Sequence, residues 1–123
     1  MGFLQNKKIL IVEDEYSNYY LLKKIIESQD GDSIWVTNGK DAINQIANDQ
    51  DIDLVLMDLK LPLMSGTDAT RVIKEKNPSK PVIAVTAYAM KSDEKAALNA
   101  GCDAYIVKPL KKNELLKKIG EFI

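Results

Sequence analysis

Polar side chains able to do chemistry stand where apolar runs end. Glu13, Asp14 and Glu15 follow Ile9-Leu10-Ile11-Val12, and Asp58 follows Leu54-Val55-Leu56-Met57. Thr86 follows Val82-Ile83-Ala84-Val85, and Lys108 follows Tyr105-Ile106-Val107 and precedes Pro109. A carboxylate buried without a partner is expensive, so Asp58 must reach an exposed strand end, hold a cation or do chemistry. Carboxylates brought together repel one another and hold protons more tightly unless a cation joins them. A few acid oxygens with room for water suit Mg²⁺, a hard ion that keeps waters and accepts one or two carboxylates. Lys108 offers a compact positive charge to an anion, and Thr86 offers a hydroxyl donor to the same anion. A divalent cation, an ammonium and a hydroxyl around one carboxylate would place a phosphoryl group on it. The two positive charges offset the equatorial oxygens while the carboxylate attacks in line.

Composition narrows the alternatives. The chain of 123 residues has no histidine, which excludes any triad, zinc site or proton relay that draws imidazole from this chain. Hydrophobic residues make up 46%, enough for a core without metal or disulfide staples at this length. A net charge of −1 argues against a general grip on nucleic acid. The single cysteine, Cys102, cannot form an internal disulfide and fits a reducing compartment. No apolar run approaches the roughly 20 residues of a membrane helix. Lys7 and Lys8 precede only a short apolar run, so no secretory leader is read, and Asn6 stands where a myristoylation start wants Ser or Thr. These features predict a cytoplasmic domain with no membrane association.

The elements that must position these groups alternate in type. The runs named above, with Ile34-Trp35-Val36, are rich in Val and Ile and lack polar alternation, as strands buried on both faces do. The run at 34–36 is the shortest and most polar at its flanks, which suits an edge. Between the runs, apolar residues recur at helical spacing: Leu22, Ile25 and Ile26; Ile43, Ile46 and Ala47; Ala69, Val72 and Ile73; Ala96, Ala97 and Ala100; and finally Leu116, Ile119 and Ile123. Asn38 with Asp41, and Ser65 with Asp68, have the spacing of helix-start caps, and Gly101 that of a helix-ending residue. Pro81 opens the fourth strand, where a missing N–H is tolerated. Fivefold strand–helix alternation predicts one α/β domain over residues 1–123. It is a doubly wound, flavodoxin-like (βα)5 fold with a five-stranded parallel sheet of order 2-1-3-4-5, two helices on one face and three on the other. In such sheets the ligand site lies beyond the carboxyl ends of the strands, where the strand order switches. Four strands would deliver Glu13, Asp14, Asp58, Thr86 and Lys108 to one rim.

Over essentially its whole length the chain resembles a response-regulator receiver domain of two-component signal transduction. The matching segments are "ILIVEDE", "LVLMDLKLPLMSG" and "PVIAVTAYAMKSDEKAALNAGCDAYIVKP". The resemblance implies that Asp58 accepts phosphate as an acyl phosphate. It implies that Asp14 and Asp58 bind Mg²⁺ with the backbone carbonyl of Lys60, that Glu13 helps directly or through water, and that Mn²⁺ is a possible substitute. Lys108 would contact the phosphoryl group and Thr86 would report its arrival. Tyr105 would move inward as the switch aromatic, and the Lys108–Pro109 bond would be cis. The donor would be a phosphohistidine on a histidine kinase or histidine phosphotransfer protein. The output would pass to a downstream protein or a parent chain through the surface of the fourth and fifth strand–helix units. Oligomeric state is expected to be monomer or weak dimer. Phosphorylation and slow loss of phosphate would be self-catalysed, without turnover of a substrate.

Other readings of the same residues compete. Asp58 could be an ordinary strand-end acid, and Glu13-Asp14-Glu15 could merely favour the positive end of a following helix. Tyr105 could be a simple core aromatic, and Trp35 and Cys102 read as packing residues rather than chemical ones. Of Tyr16, Tyr19 and Tyr20, core packing explains one or two, and an exposed pair would suit a docking face. An aspartyl-phosphate phosphatase would want a second acid two residues after the nucleophile, where Lys60 stands. A flavin module would cradle phosphate in its first loop, where these acids repel it. A scaffold keeping only the fold would not need the complete charged set. Lys60 and Tyr88, two residues past Asp58 and Thr86, are expected at the rim, where their bulk would obstruct water and slow hydrolysis of the acyl phosphate.

Overall fold

The apolar runs become the strands of one sheet in the computed structural model, which describes residues 2–87 and 90–123. In chain order the elements are β1 (Lys8–Val12), α1 (Tyr16–Glu27), β2 (Asp32–Val36), α2 (Gly39–Asn48), β3 (Leu54–Met57), α3 (Gly66–Lys76), β4 (Val82–Thr86), α4 (Lys91–Ala100), β5 (Ala104–Val107) and α5 (Lys112–Gly120). The strands are parallel and lie in the order β2-β1-β3-β4-β5, as the alternation predicts.

Alternate residues of each strand feed opposite cores, which is why the runs are continuously apolar. Ile9, Ile11, Leu54, Leu56, Ile83 and Val85 pack against Leu22 and Ile26 of α1 and Leu115 and Ile119 of α5. On the other face Leu10, Val12, Val55, Met57, Val82 and Ala84 meet residues of α2, α3 and α4. Two helices therefore cover one face and three the other. Edge strand β2 is the most exposed of the five. Cys102 sits in the second core, where burial pushes its thiol up to about 11.

Two helix starts are fixed by side chains. Asn38 Oδ1 accepts from the Asp41 N–H at 2.8 Å, and Ser65 Oγ accepts from the Asp68 N–H at 3.2 Å. Gly101 ends α4 with φ of 111°, a conformation that costs glycine little.

Three of the predicted stripes are rotated. Leu115, not Leu116, is fully buried on α5, and Ile123 lies beyond the helix. Both leucines have helical spacing to Ile119, so period alone does not choose between them. Ala47 and Ala96 are exposed, while Ile46, Ala97 and Ala100 of the same stripes are buried as predicted and Ala42 joins them. Alanine buries too little area to set the rotation of a helix. Among the described residues, no helix is long and apolar enough to cross a membrane.

Candidate functional site

Backbone pairing continues past the last residue of three strands and carries the key side chains with it. The Glu13 N–H donates to the Val36 carbonyl at 3.1 Å, and the Asp58 N–H donates to the Val12 carbonyl at 3.0 Å. The Lys108 N–H donates to the Thr86 carbonyl at 2.8 Å. Glu13, Asp58 and Lys108 are thus pinned to the sheet although none lies in a strand. Thr86 is the last residue of β4 and is fully buried. The peptide bond between Lys108 and Pro109 is cis.

Helix α3 presses on Asp58 from below. Gly66, its first residue, donates its N–H to the Leu59 carbonyl at 2.8 Å. A Cβ there would collide with the Asp58 carbonyl oxygen and lie 2.6 Å from the Leu59 Cα. Glycine is required because the helix start and the backbone of the acid occupy nearly the same space. Gly66 is not among the residues singled out from the sequence, although it closes the "LVLMDLKLPLMSG" segment.

The side chains converge. Lys108 Nζ donates to Glu13 Oε2 at 2.8 Å and reaches Asp58 Oδ2 at 3.5 Å. The second contact is too long to count for more than Coulomb attraction. The side chain of Glu13 is 2% exposed, that of Asp58 11% and that of Lys108 16%. Glu13 Oε1 also accepts from the Glu15 N–H at 3.2 Å, and Asp58 Oδ1 accepts from the Lys60 N–H at 3.1 Å. Burial pulls the Lys108 ammonium down, but the Glu13 hydrogen bond and the Asp58 charge outweigh it and hold the lysine above its ordinary value.

Glu13, Asp14 and Asp58 each offer a carboxylate oxygen, and these oxygens lie within 4.8 Å of one another. Hard oxygen donors so close, with a single ammonium between two of them, fit a divalent cation. Asp14 is exposed and, with Asp58, Lys60, Thr86 and Lys108, lines an open cleft of about 470 Å³ at the carboxyl ends of the strands. Glu13 lies beneath the cleft rather than in its wall. Three neighbouring acids in sequence are therefore unequal: Glu13 is buried and paired, while Asp14 and Glu15, the latter at the start of α1, line the cleft.

Tyr105 is half-buried in the core beneath α4 and pairs in register with Ala84, two residues before Thr86 on the same face of β4. Burial, then the charges of Asp93 and Glu94, push its hydroxyl above the usual tyrosine value. Lys60 is exposed at the rim. Tyr88 lies outside the described residues. On α1, Tyr16 and Tyr20 are the exposed pair, while Tyr19 stacks on Trp35 with ring centroids 4.1 Å apart. The Trp35 indole N–H donates to the Glu13 carbonyl at 2.7 Å, so this edge residue reaches the site. A half-buried indole N–H seeks an acceptor, and that was the available signal for it.

The family model described as the response regulator receiver domain matches residues 9–120. The chain belongs to the response regulator receiver domain family. It is 38% identical over 119 residues to the polar-differentiation response regulator DivK of Brucella anthropi, covering 95% of this chain and 96% of that protein. A CheY-like receiver domain protein from Methanospirillum hungatei is 36% identical with a TM-score of 0.87, covering 94% of this chain and 91% of the other. The receiver domain of the sensor histidine kinase PA1611 from Pseudomonas aeruginosa is 31% identical with a TM-score of 0.88, covering 95% and 97%. In that structure a magnesium ion is coordinated in the active-site cleft. Receiver domains serve two-component systems as signalling switches and are generally not turnover enzymes.

Proposed function

We propose that this receiver domain takes a phosphoryl group onto Asp58 from a phosphohistidine on a cytoplasmic histidine kinase or histidine phosphotransfer protein. An Asp58 carboxylate oxygen attacks phosphorus in line, forming the acyl phosphate P–O bond as the P–N bond to the donor imidazole breaks. Asp14, Asp58 and the Lys60 carbonyl would hold Mg²⁺, for which Mn²⁺ could substitute. Glu13, whose oxygens already serve Lys108 and the Glu15 N–H, would act through water. The bound cation supplies charge neutralisation for the transferring oxygens. Lys108 carries the second positive charge and shifts from the acids to a phosphoryl oxygen. Thr86 donates its hydroxyl to another, and Tyr105, on the same face, follows. The α4-β5-α5 surface then changes its affinity for a downstream protein or a parent chain. Lys60 at the rim slows the attack of water on the product.

The observation that carries this reading is the Lys108 ammonium set between Glu13 and Asp58 in a cleft that Asp14 and Thr86 also line. The test is intact-mass measurement after incubation with a small phosphodonor and Mg²⁺. The parent chain should gain one phosphoryl group, and Asp58→Asn should gain none. An unmodified parent, or a modified Asp58→Asn chain, overturns the proposal.

A further inference from the structure

The acidic segment Glu13-Asp14-Glu15 bridges β1 and α1, and α1 has no side-chain cap at Glu15. Something else must hold the segment. The Glu13 N–H is tied to the Val36 carbonyl, and the Glu13 carbonyl is tied to the Trp35 indole N–H at 2.7 Å. Both ends of this residue therefore hang on β2, one through backbone and one through a side chain. Trp35 is itself held: its ring lies 5° from parallel with Tyr19, and Tyr16 meets it edge-on with centroids 5.9 Å apart. Because the peptide unit is planar, fixing the Glu13 carbonyl also fixes the plane of the Asp14 nitrogen. That plane sets where the Asp14 side chain leaves the backbone.

We infer that Trp35 is a positioning residue for the cation site: its indole N–H clamps the peptide between Glu13 and Asp14 and so aims both carboxylates. This rests on reading the acid cluster as the metal site. Trp35 touches neither the phosphoryl group nor the cation. Its effect passes through the planar peptide, over a path in which each contact is short and directional. A residue that only filled space on the edge strand would need the ring and not its N–H.

The test separates ring from donor. Trp35→Phe keeps an aromatic face on Tyr19 and removes the N–H, and replacement of Trp35 by benzothienylalanine removes the N–H while keeping the shape. Titration calorimetry with Mg²⁺ gives the dissociation constant of each. Loss of one oriented hydrogen bond predicts a rise of about three- to tenfold in both variants. The Asp14 amide resonance should also move in the metal-free protein, a readout that needs no bound ion. Dissociation constants within twofold of the parent in both variants overturn the inference, whatever happens to the urea midpoint. If the parent itself fails to bind Mg²⁺, the metal-site reading falls and takes this inference with it; parent binding with unaffected variants sinks the Trp35 role alone.

Discussion

Replacing Lys108 by methionine removes the charge and keeps most of the apolar stem. The ammonium sits 2.8 Å from a Glu13 carboxylate that is 2% exposed. Breaking a fully buried pair by deleting one partner costs about 3–5 kcal/mol, because the other charge is left uncompensated. Two features reduce that here. Lys108 opens onto the cleft, so water can enter beside the stranded acid, and Glu13 retains the Glu15 N–H at 3.2 Å. The Asp58 contact at 3.5 Å adds little. The expected loss is about 2–3 kcal/mol at pH 7 without metal, a fall of roughly 1–2 M in the urea midpoint. The pH dependence has a definite sign. The folded value of Lys108 is raised, so its contribution is fully present below the unfolded lysine value of 10.5 and is lost as pH rises through the folded one. The gap between parent and Lys108→Met should therefore narrow in strongly alkaline urea melts. The double variant Glu13→Gln/Lys108→Met should recover about half or more of the loss, since no buried charge remains. A single variant within about 0.5 kcal/mol of the parent, or two substitutions that simply add, would refute a coupled buried pair.

Lys60→Ala, tested by the decay of the added mass after donor removal, should hasten hydrolysis about threefold, roughly 0.7 kcal/mol off the barrier; an unchanged decay rules out shielding by the rim lysine. Asp14→Asn should raise the Mg²⁺ dissociation constant by about tenfold or more while leaving the metal-free fold intact, as calorimetry and thermal melts will show. Gly66→Ala should cost about 1–3 kcal/mol in urea unfolding, because the new methyl must displace either α3 or the Asp58 backbone, and phosphoryl uptake should fall with it.

The sheet was legible because every strand carries a short apolar run, and on four of them that run leads straight to a candidate site residue, so strand ends and candidate site could be read together. The order of strands followed from handedness and alternation rather than from any single residue. What stayed hidden depended on packing. Glu13 and Asp14 are adjacent acids of like chemistry, yet one is buried under the cleft and the other faces it, a division made by the alternation of the backbone past β1. The rotation of α5 was unreadable because Leu115 and Leu116 both have helical spacing to Ile119. Trp35 was read as a packing residue on an edge strand because its acceptor is a backbone carbonyl, a group every residue carries and no sequence marks.

Lys108 and Glu13 stand 95 residues apart along the chain. During synthesis the first two acids and Asp58 emerge well before the cation that balances them. A chain lacking β5 and Lys108 would leave these carboxylates without the ammonium that contacts Glu13 and Asp58. If the proposed function holds, competence to accept a phosphoryl group would arrive only once β5 has brought Lys108 to the acids.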